Sequence, residues 1–291
     1  MIKAHKFEVL LAAVMMAKGT SFIFSKMLLD SMGVFNVLAV RFLLGFALLA
    51  VIFYGTLRRA PWCLWKAGLI VGVGYFVVMS LEMIALSLAD SSAVALTEHT
   101  SIVMVPLLAA LIGRHLPRWL DMASALLAVV GVALITVPGG GLSSGLIVAL
   151  FSALAYSITI IVTGYVAHTP KEGLVIGILE LGVLGFLALV ASFLLEQPHL
   201  PATLAQWEML LMLVIVCTVF GFTFQAVAQS RVSAERTGIF AALNPAVAAL
   251  LGAAVLGESF GSVGVIGIAL ILLGITLPSL LGIRSKSKEA R

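Results

Sequence analysis

Apolar residues run along this chain in stretches of about 20, the number of helical residues that crosses a hydrocarbon core of roughly 30 Å. Short joints marked by prolines or charges separate the stretches. The pattern predicts ten helices, over approximately residues 7–29, 34–56, 66–88, 91–113, 119–137, 143–166, 173–195, 207–228, 236–257 and 262–282. Seven prolines (Pro61, Pro117, Pro138, Pro170, Pro198, Pro201, Pro278) fall at joints or helix ends, where a residue without an amide N–H does least harm. Only Pro106 and Pro245 fall inside predicted helices. The connectors leave no room for a soluble domain. The first helix is too long and too interrupted by lysine for a cleavable signal peptide, and no small-residue cleavage site follows it.

Composition turns this pattern into a statement about solvent. Apolar types make up 62% of the 291 residues, against roughly 45–50% in a soluble domain. Charged residues make up 10%, against about 25% in the same reference. With a mean hydropathy of +1.20, the solvent is lipid. Soluble enzymes, secreted disulfide scaffolds and disordered chains are excluded. The net charge of +4 is a topology signal and not a nucleic-acid footprint. With the N-terminus in the cytoplasm, all of the 17 basic residues except Lys18, Lys26 and Arg41 fall in cytoplasmic segments. Asp30, Asp90, Glu196, Glu208 and Glu258 fall outside, and the tryptophans fall at the interfaces. The expectation is an all-α, multi-pass protein of the cell (plasma or inner) membrane with both termini cytoplasmic. Cys63, in a loop, and Cys217, in mid-membrane, give no basis for a disulfide.

Ten helices divide into two sets of five, expected over residues 1–138 and 139–291. Laid without gaps, 90–116 over 234–260 pairs Val103 with Val247, Leu107 with Leu251 and Gly113 with Gly257. The phrases VVGVALIT (129–136) and LLGITL (272–277) correspond, as do LAAVMMAKG (11–19) and ALFSALAYS (149–157). Five is odd, so the second copy enters the membrane from the opposite side. Inverted repeats of this kind recur in secondary transporters, whose substrate sites lie near the midplane between the halves.

These phrases, with KGTSFIFSK (18–26), AVRFLLGFALL (39–49), VPLLAALIGRHLP (105–117) and AQSRVSAERTGIFAALNPAVAALLGAAVLGES (228–259), make the whole chain resemble the EamA branch of the drug/metabolite transporter superfamily. The resemblance implies ten helices, an inverted five-helix repeat and a central cavity used for alternating access. Two positions depart from the family pattern. Lys18 stands where tryptophan is usual, and Asn244 replaces the glutamate of a Leu-Glu-Pro phrase.

Charges inside spans mark candidate chemistry, because each costs about 2.5–3.5 kcal/mol at a helix centre. Lys18, Lys26, Arg41, Glu82, Glu98 and Glu180 are such residues, with His99 beside Glu98. All but Lys18 and Glu180 lie within about 12 Å of the outer boundary, taking 1.5 Å per helical residue. They must face one another or a watery cavity. Lys18, Ser21 and Ser25 recur at i, i+3 and i+7, which puts them on one face of helix 1. Lys26 stands close enough to its helix end to snorkel outward. Arg41 reads either as a substrate ligand or as half of a structural pair with Glu82 or Glu98. A carboxylate such as Glu98 could bind a proton in one conformation and release it in another. His99 adds a titratable neighbour or packs as a plain ring. Glu180, alone in the second repeat, reads as an inner-gate group or a hydrogen-bonded vestibule residue. Pro106 and Asn244-Pro245 read as hinges or as static kinks. The Gly68/Gly72 and Gly173/Gly177 pairs permit close helix contact.

The expected function is secondary transport of a small metabolite, an amino acid or related solute. The substrate gradient or protons would drive it, by rocking one repeat against the other. Lys18, Arg41, Glu82 and Glu98 form the polar floor of the cavity, and Tyr75, Tyr156 and Asn244 form its walls. No ATP-binding loop, metal motif or nucleophile pair occurs in the spans, so no cofactor, metal or enzymatic activity is expected. A channel predicts a polar stripe through the whole membrane; a non-transporting subunit predicts paired charges and no cavity. Monomer and dimer are equally open.

Overall fold

A computed structural model describes residues 2–114, 119–136, 143–166, 169–221, 224, 240, 243–258 and 261–289. Helices account for nearly all of these. The first half holds α1 (Ile2–Leu29), α2 (Val34–Ile52), α3 (Tyr54–Arg58), α4 (Trp62–Leu88), α5 (Ser91–Glu98), α6 (Ser101–Ile112) and α7 (Trp119–Thr136). The second holds α8 (Ser144–Val166), α9 (Pro170–Leu195), α10 (Leu204–Met212), a π-helical segment (Leu213–Phe220), α11 (Leu243–Val255) and α12 (Ser262–Glu289). Among the described residues, five helices have stretches long and apolar enough to cross a membrane: Val9–Leu29, Val34–Ile52, Trp62–Leu88, Ser144–Val166 and Lys171–Leu195.

The helix starts follow local chemistry. α9 opens three residues earlier than the apolar run suggests, because Thr169 and Glu172 form a capping box around Pro170. Thr203 and Gln206 do the same for α10.

The two prolines expected inside helices have different settings. The fourth expected helix runs through Pro106 in α6 and breaks earlier, at His99–Thr100 between α5 and α6. Pro245 lies in α11, whose described part begins at Leu243. Residues 241–242 before it, and with them a kink there, lie outside the described residues. So do the loop around Pro117, the glycine run at 139–141, and Arg231 and Arg236.

The two halves interdigitate. The most extensive helix packing pairs α7 with α12, α2 with α9, α4 with both α8 and α9, and α1 with α11. Each pair joins one half to the other, whereas helices of the same half touch little. The main core cluster is built accordingly, with Phe42, Leu38, Met83 and Leu86 against Ile178, Leu181, Leu184 and Leu210. The two glycine pairs differ in what they meet. A side chain at Gly68 or Gly72 would strike Leu179 or Val183 of α9, while Gly173 and Gly177 face open space.

Candidate functional site

The open space beside Gly173 and Gly177 is part of one cavity of about 290 Å³. Lys18 and Ser21 of α1, Arg41 of α2, Tyr75, Met79 and Glu82 of α4, and Glu98 and His99 at the end of α5 line it from the first half. Tyr156 and Thr163 of α8, Gly173, Gly177 and Glu180 of α9, Cys217 and Asn244 line it from the second. Every polar side chain expected at the site therefore faces this cavity. Glu180 does so too, and lies within electrostatic reach of Lys18 of the first half. The lining extends toward the end where α8 passes into α9, through Thr163, Gly173 and Leu174. Among the described residues, none from the opposite end, where α2 and α5 begin, contributes.

Apolar helices hold the charges in place. Arg41, Glu82, Glu98 and Glu180 are each 4–5% exposed, so every one needs partners within the protein. Glu82 and Glu98 lie side by side, each within interaction reach of the other. Glu98 Oε1 also accepts from the Ser152 hydroxyl at 2.8 Å, and that hydroxyl lies 3.1 Å from the Val78 carbonyl. Ser152 thus ties α8 of the second half to the carboxyl pair of the first.

Among the described residues, Arg41 is not tied to a carboxylate by a direct bond. Its Nε donates to Thr218 Oγ1 at 3.0 Å, and its guanidinium lies 5.0 Å from the centroid of the Phe42 ring. Thr218 belongs to the π-helical segment, whose wider turn also carries Cys217 to the cavity wall. Single π turns recur at functional sites. Apolarity does not distinguish this stretch from an α-helix, so sequence reasoning missed Cys217 and Thr218. The Cys217 thiol donates to the Ala17 carbonyl at 3.3 Å, and both cysteines are free.

The remaining walls are aromatic and amide. The Tyr75 and Tyr156 rings meet edge-on at 5.9 Å between centroids and share a hydrogen bond. Asn244 Oδ1 is buried with no hydrogen-bond partner among the described residues, an open acceptor at the cavity. His99 Nδ1 lies 2.8 Å from the Ala95 carbonyl, which fixes its proton on that nitrogen, and the ring stands 6.1 Å from Phe22. Lys26 corrects an expectation. Its ammonium does not snorkel outward but donates to the Leu86 and Ala89 carbonyls, at 2.6 and 2.7 Å, at the end of α4.

Known proteins share this plan. The model of the EamA-like transporter family matches twice, over residues 6–137 and 143–280. Two proteins of Archaeoglobus fulgidus, each described as an uncharacterized transporter, are 26% identical to this chain. One aligns over 93% of this chain and 84% of its own length, the other over 78% and 83%. A solved crystal structure superposes with a TM-score of 0.68 at 20% identity, covering 95% of this chain and 98% of that one, a likeness of fold. With a double family match spanning nearly the whole chain, this protein belongs to the EamA-like transporter family, and through it to the drug/metabolite transporter superfamily.

Proposed function

We propose that this chain is a secondary active transporter of ten transmembrane helices, with both termini cytoplasmic, in the plasma or inner membrane. It moves a small metabolite, an amino acid or related solute, by alternating access. The observation that carries this reading is the single cavity enclosing two cations, three carboxylates, two tyrosines and Asn244. Its volume of about 290 Å³ lies at the small end of ligand pockets, roughly 300–1,000 Å³. Charges of both signs suit a zwitterion, with the solute carboxylate toward Lys18 and Arg41 and its ammonium toward Glu180. A cavity lined toward one end only favours occlusion over a continuous channel. In the proposed topology that end is cytoplasmic, so the conformation is inward-facing.

The Glu82–Glu98 pair supports protons as the driving ion. Two buried carboxyl groups side by side suit a shared proton, and Ser152 braces Glu98 from the other half, so relative movement of α8 and α5 would alter how such a proton is bound. Radiolabelled amino acids offered to proteoliposomes test the substrate class. Silence across the amino acids together with uptake of an organic cation would overturn it. In the same vesicles Glu98→Gln is expected to abolish gradient-driven uptake while leaving exchange. Unchanged driven uptake would remove Glu98 from the coupling.

A further inference from the structure

The end of the bundle away from the cavity lining carries Glu196 and Glu258, and each caps a helix of the other half. α2 begins at Gly33, which has no side chain with which to cap it, and α5 begins at Asp90, whose side chain makes no capping hydrogen bond. Glu196, just past α9, accepts from Phe35 N and Asn36 N at 3.1 and 3.0 Å. Glu258, just past α11, accepts from Ser91 N and the Ser91 hydroxyl at 2.7 Å, from Ser92 N at 3.0 Å and from the Ser92 hydroxyl. Each carboxylate also faces the positive end of a helix dipole.

The two caps differ in setting. α2 and α9 pack extensively, and Asn36 adds bonds to Ser192, Gln197 and His199, so Glu196 belongs to a continuous seam. α5 is an eight-residue rod separated from α6 by the His99–Thr100 break. It carries Glu98 at its cavity end, about 12 Å from its capped end at 1.5 Å per residue. The turn that delivers Glu258 is specific. Gly257 takes φ +67°, and the Glu258 N–H donates to the Gly252 carbonyl at 3.1 Å, the left-handed helix ending that favours glycine. A side chain at Gly252 would collide with the Ser92 hydroxyl and the Glu258 carboxylate. Asp90 is exposed at the N-cap of α5. Its residue type is among the best acceptors for first-turn N–H groups.

We propose that Glu258 is the latch that holds the outer end of α5 shut, and that Asp90 is the cap that replaces it when that end opens. The proposal rests on the alternating-access reading above and adds two positioning residues that touch no solute. When α11 withdraws, the first-turn N–H groups of α5 lose their acceptor, and buried groups left so are costly. Asp90 then rotates onto them. The helix stays capped in both conformations, and the exchange of one carboxylate for another makes opening reversible.

The test follows opening directly. Ser25 is fully buried on α1, one turn beyond the cavity-lining Ser21 toward the latch. Purified protein with Ser25→Cys in a Cys63→Ser, Cys217→Ser background reports opening by its rate of reaction with a water-soluble maleimide. Glu258→Ala is expected to raise that rate roughly 2- to 30-fold, the range spanned by a lost N-cap. Asp90→Ala is expected to lower it, and the two combined to bring it back toward the starting rate. A cap with a structural role alone gives another result: Glu258→Ala lowers Tm with labelling unchanged, and Asp90→Ala alters neither. That result overturns the proposal. If Glu258→Ala does not fold, Asp90→Ala and Ser91→Ala, which removes one donor to Glu258, decide the matter by their opposite effects on labelling. The assay needs neither solute nor gradient, so its failure is distinct from a failure of uptake.

Discussion

Lys26 owes its place to what its three protons reach. Its ammonium meets two carbonyls that end α4, groups that no further helical turn can satisfy. Lys26→Met keeps most of the volume and removes the donors. It is expected to destabilise the protein by about 1.5–3 kcal/mol, the worth of hydrogen bonds to a charged group, read as a lower Tm in detergent. A snorkelling lysine would show no change. The burial of Arg41, Glu82, Glu98 and Glu180, and the half-burial of Lys18, were legible from sequence, because a charge in an apolar run has to be sheltered. Their partners were not. Arg41 meets Thr218, 177 positions away, through a π turn that leaves no trace in hydropathy. Lys26 was misread because its nearness to a helix end says nothing of the carbonyls of a neighbouring helix.

Helices meet where small residues let them. Gly68/Gly72 and Gly173/Gly177 have the same spacing, yet the first pair faces α9 and the second faces the cavity. Gly72→Leu is expected to lower Tm, since overpacking costs typically 1–3 kcal/mol. Gly177→Leu is expected to leave Tm near its starting value and to abolish uptake by filling the cavity. Thermal unfolding and vesicle uptake on both variants check the contrast; equal loss of stability in the two would refute it. The motif alone does not hold this difference, because spacing places both glycines on one face without saying what that face meets. The break at His99–Thr100 was hidden for a related reason. No proline marks it, while Pro106, which is marked, sits in continuous helix.

The all-helical class and the doubled family pattern were legible throughout the chain, from apolar runs and matched phrases. The way the two copies join was not. Among the described residues the broad interfaces lie between the repeats, and contacts within each are slight. Residues 1–138 and 139–291 made as separate chains in one cell are expected to assemble and transport. Either chain alone is expected to be degraded, which immunoblots of membrane fractions would show; stable accumulation of a single half would contradict the interdigitated core.

That interdigitation sets a timetable for biosynthesis. At roughly 5–20 residues per second, the second copy leaves the ribosome on the order of ten to thirty seconds after the first. Throughout that interval Glu98 lacks Ser152, Arg41 lacks Thr218 and α5 lacks Glu258. Those three groups of the first half therefore go without their cross-half partners until the second copy is made.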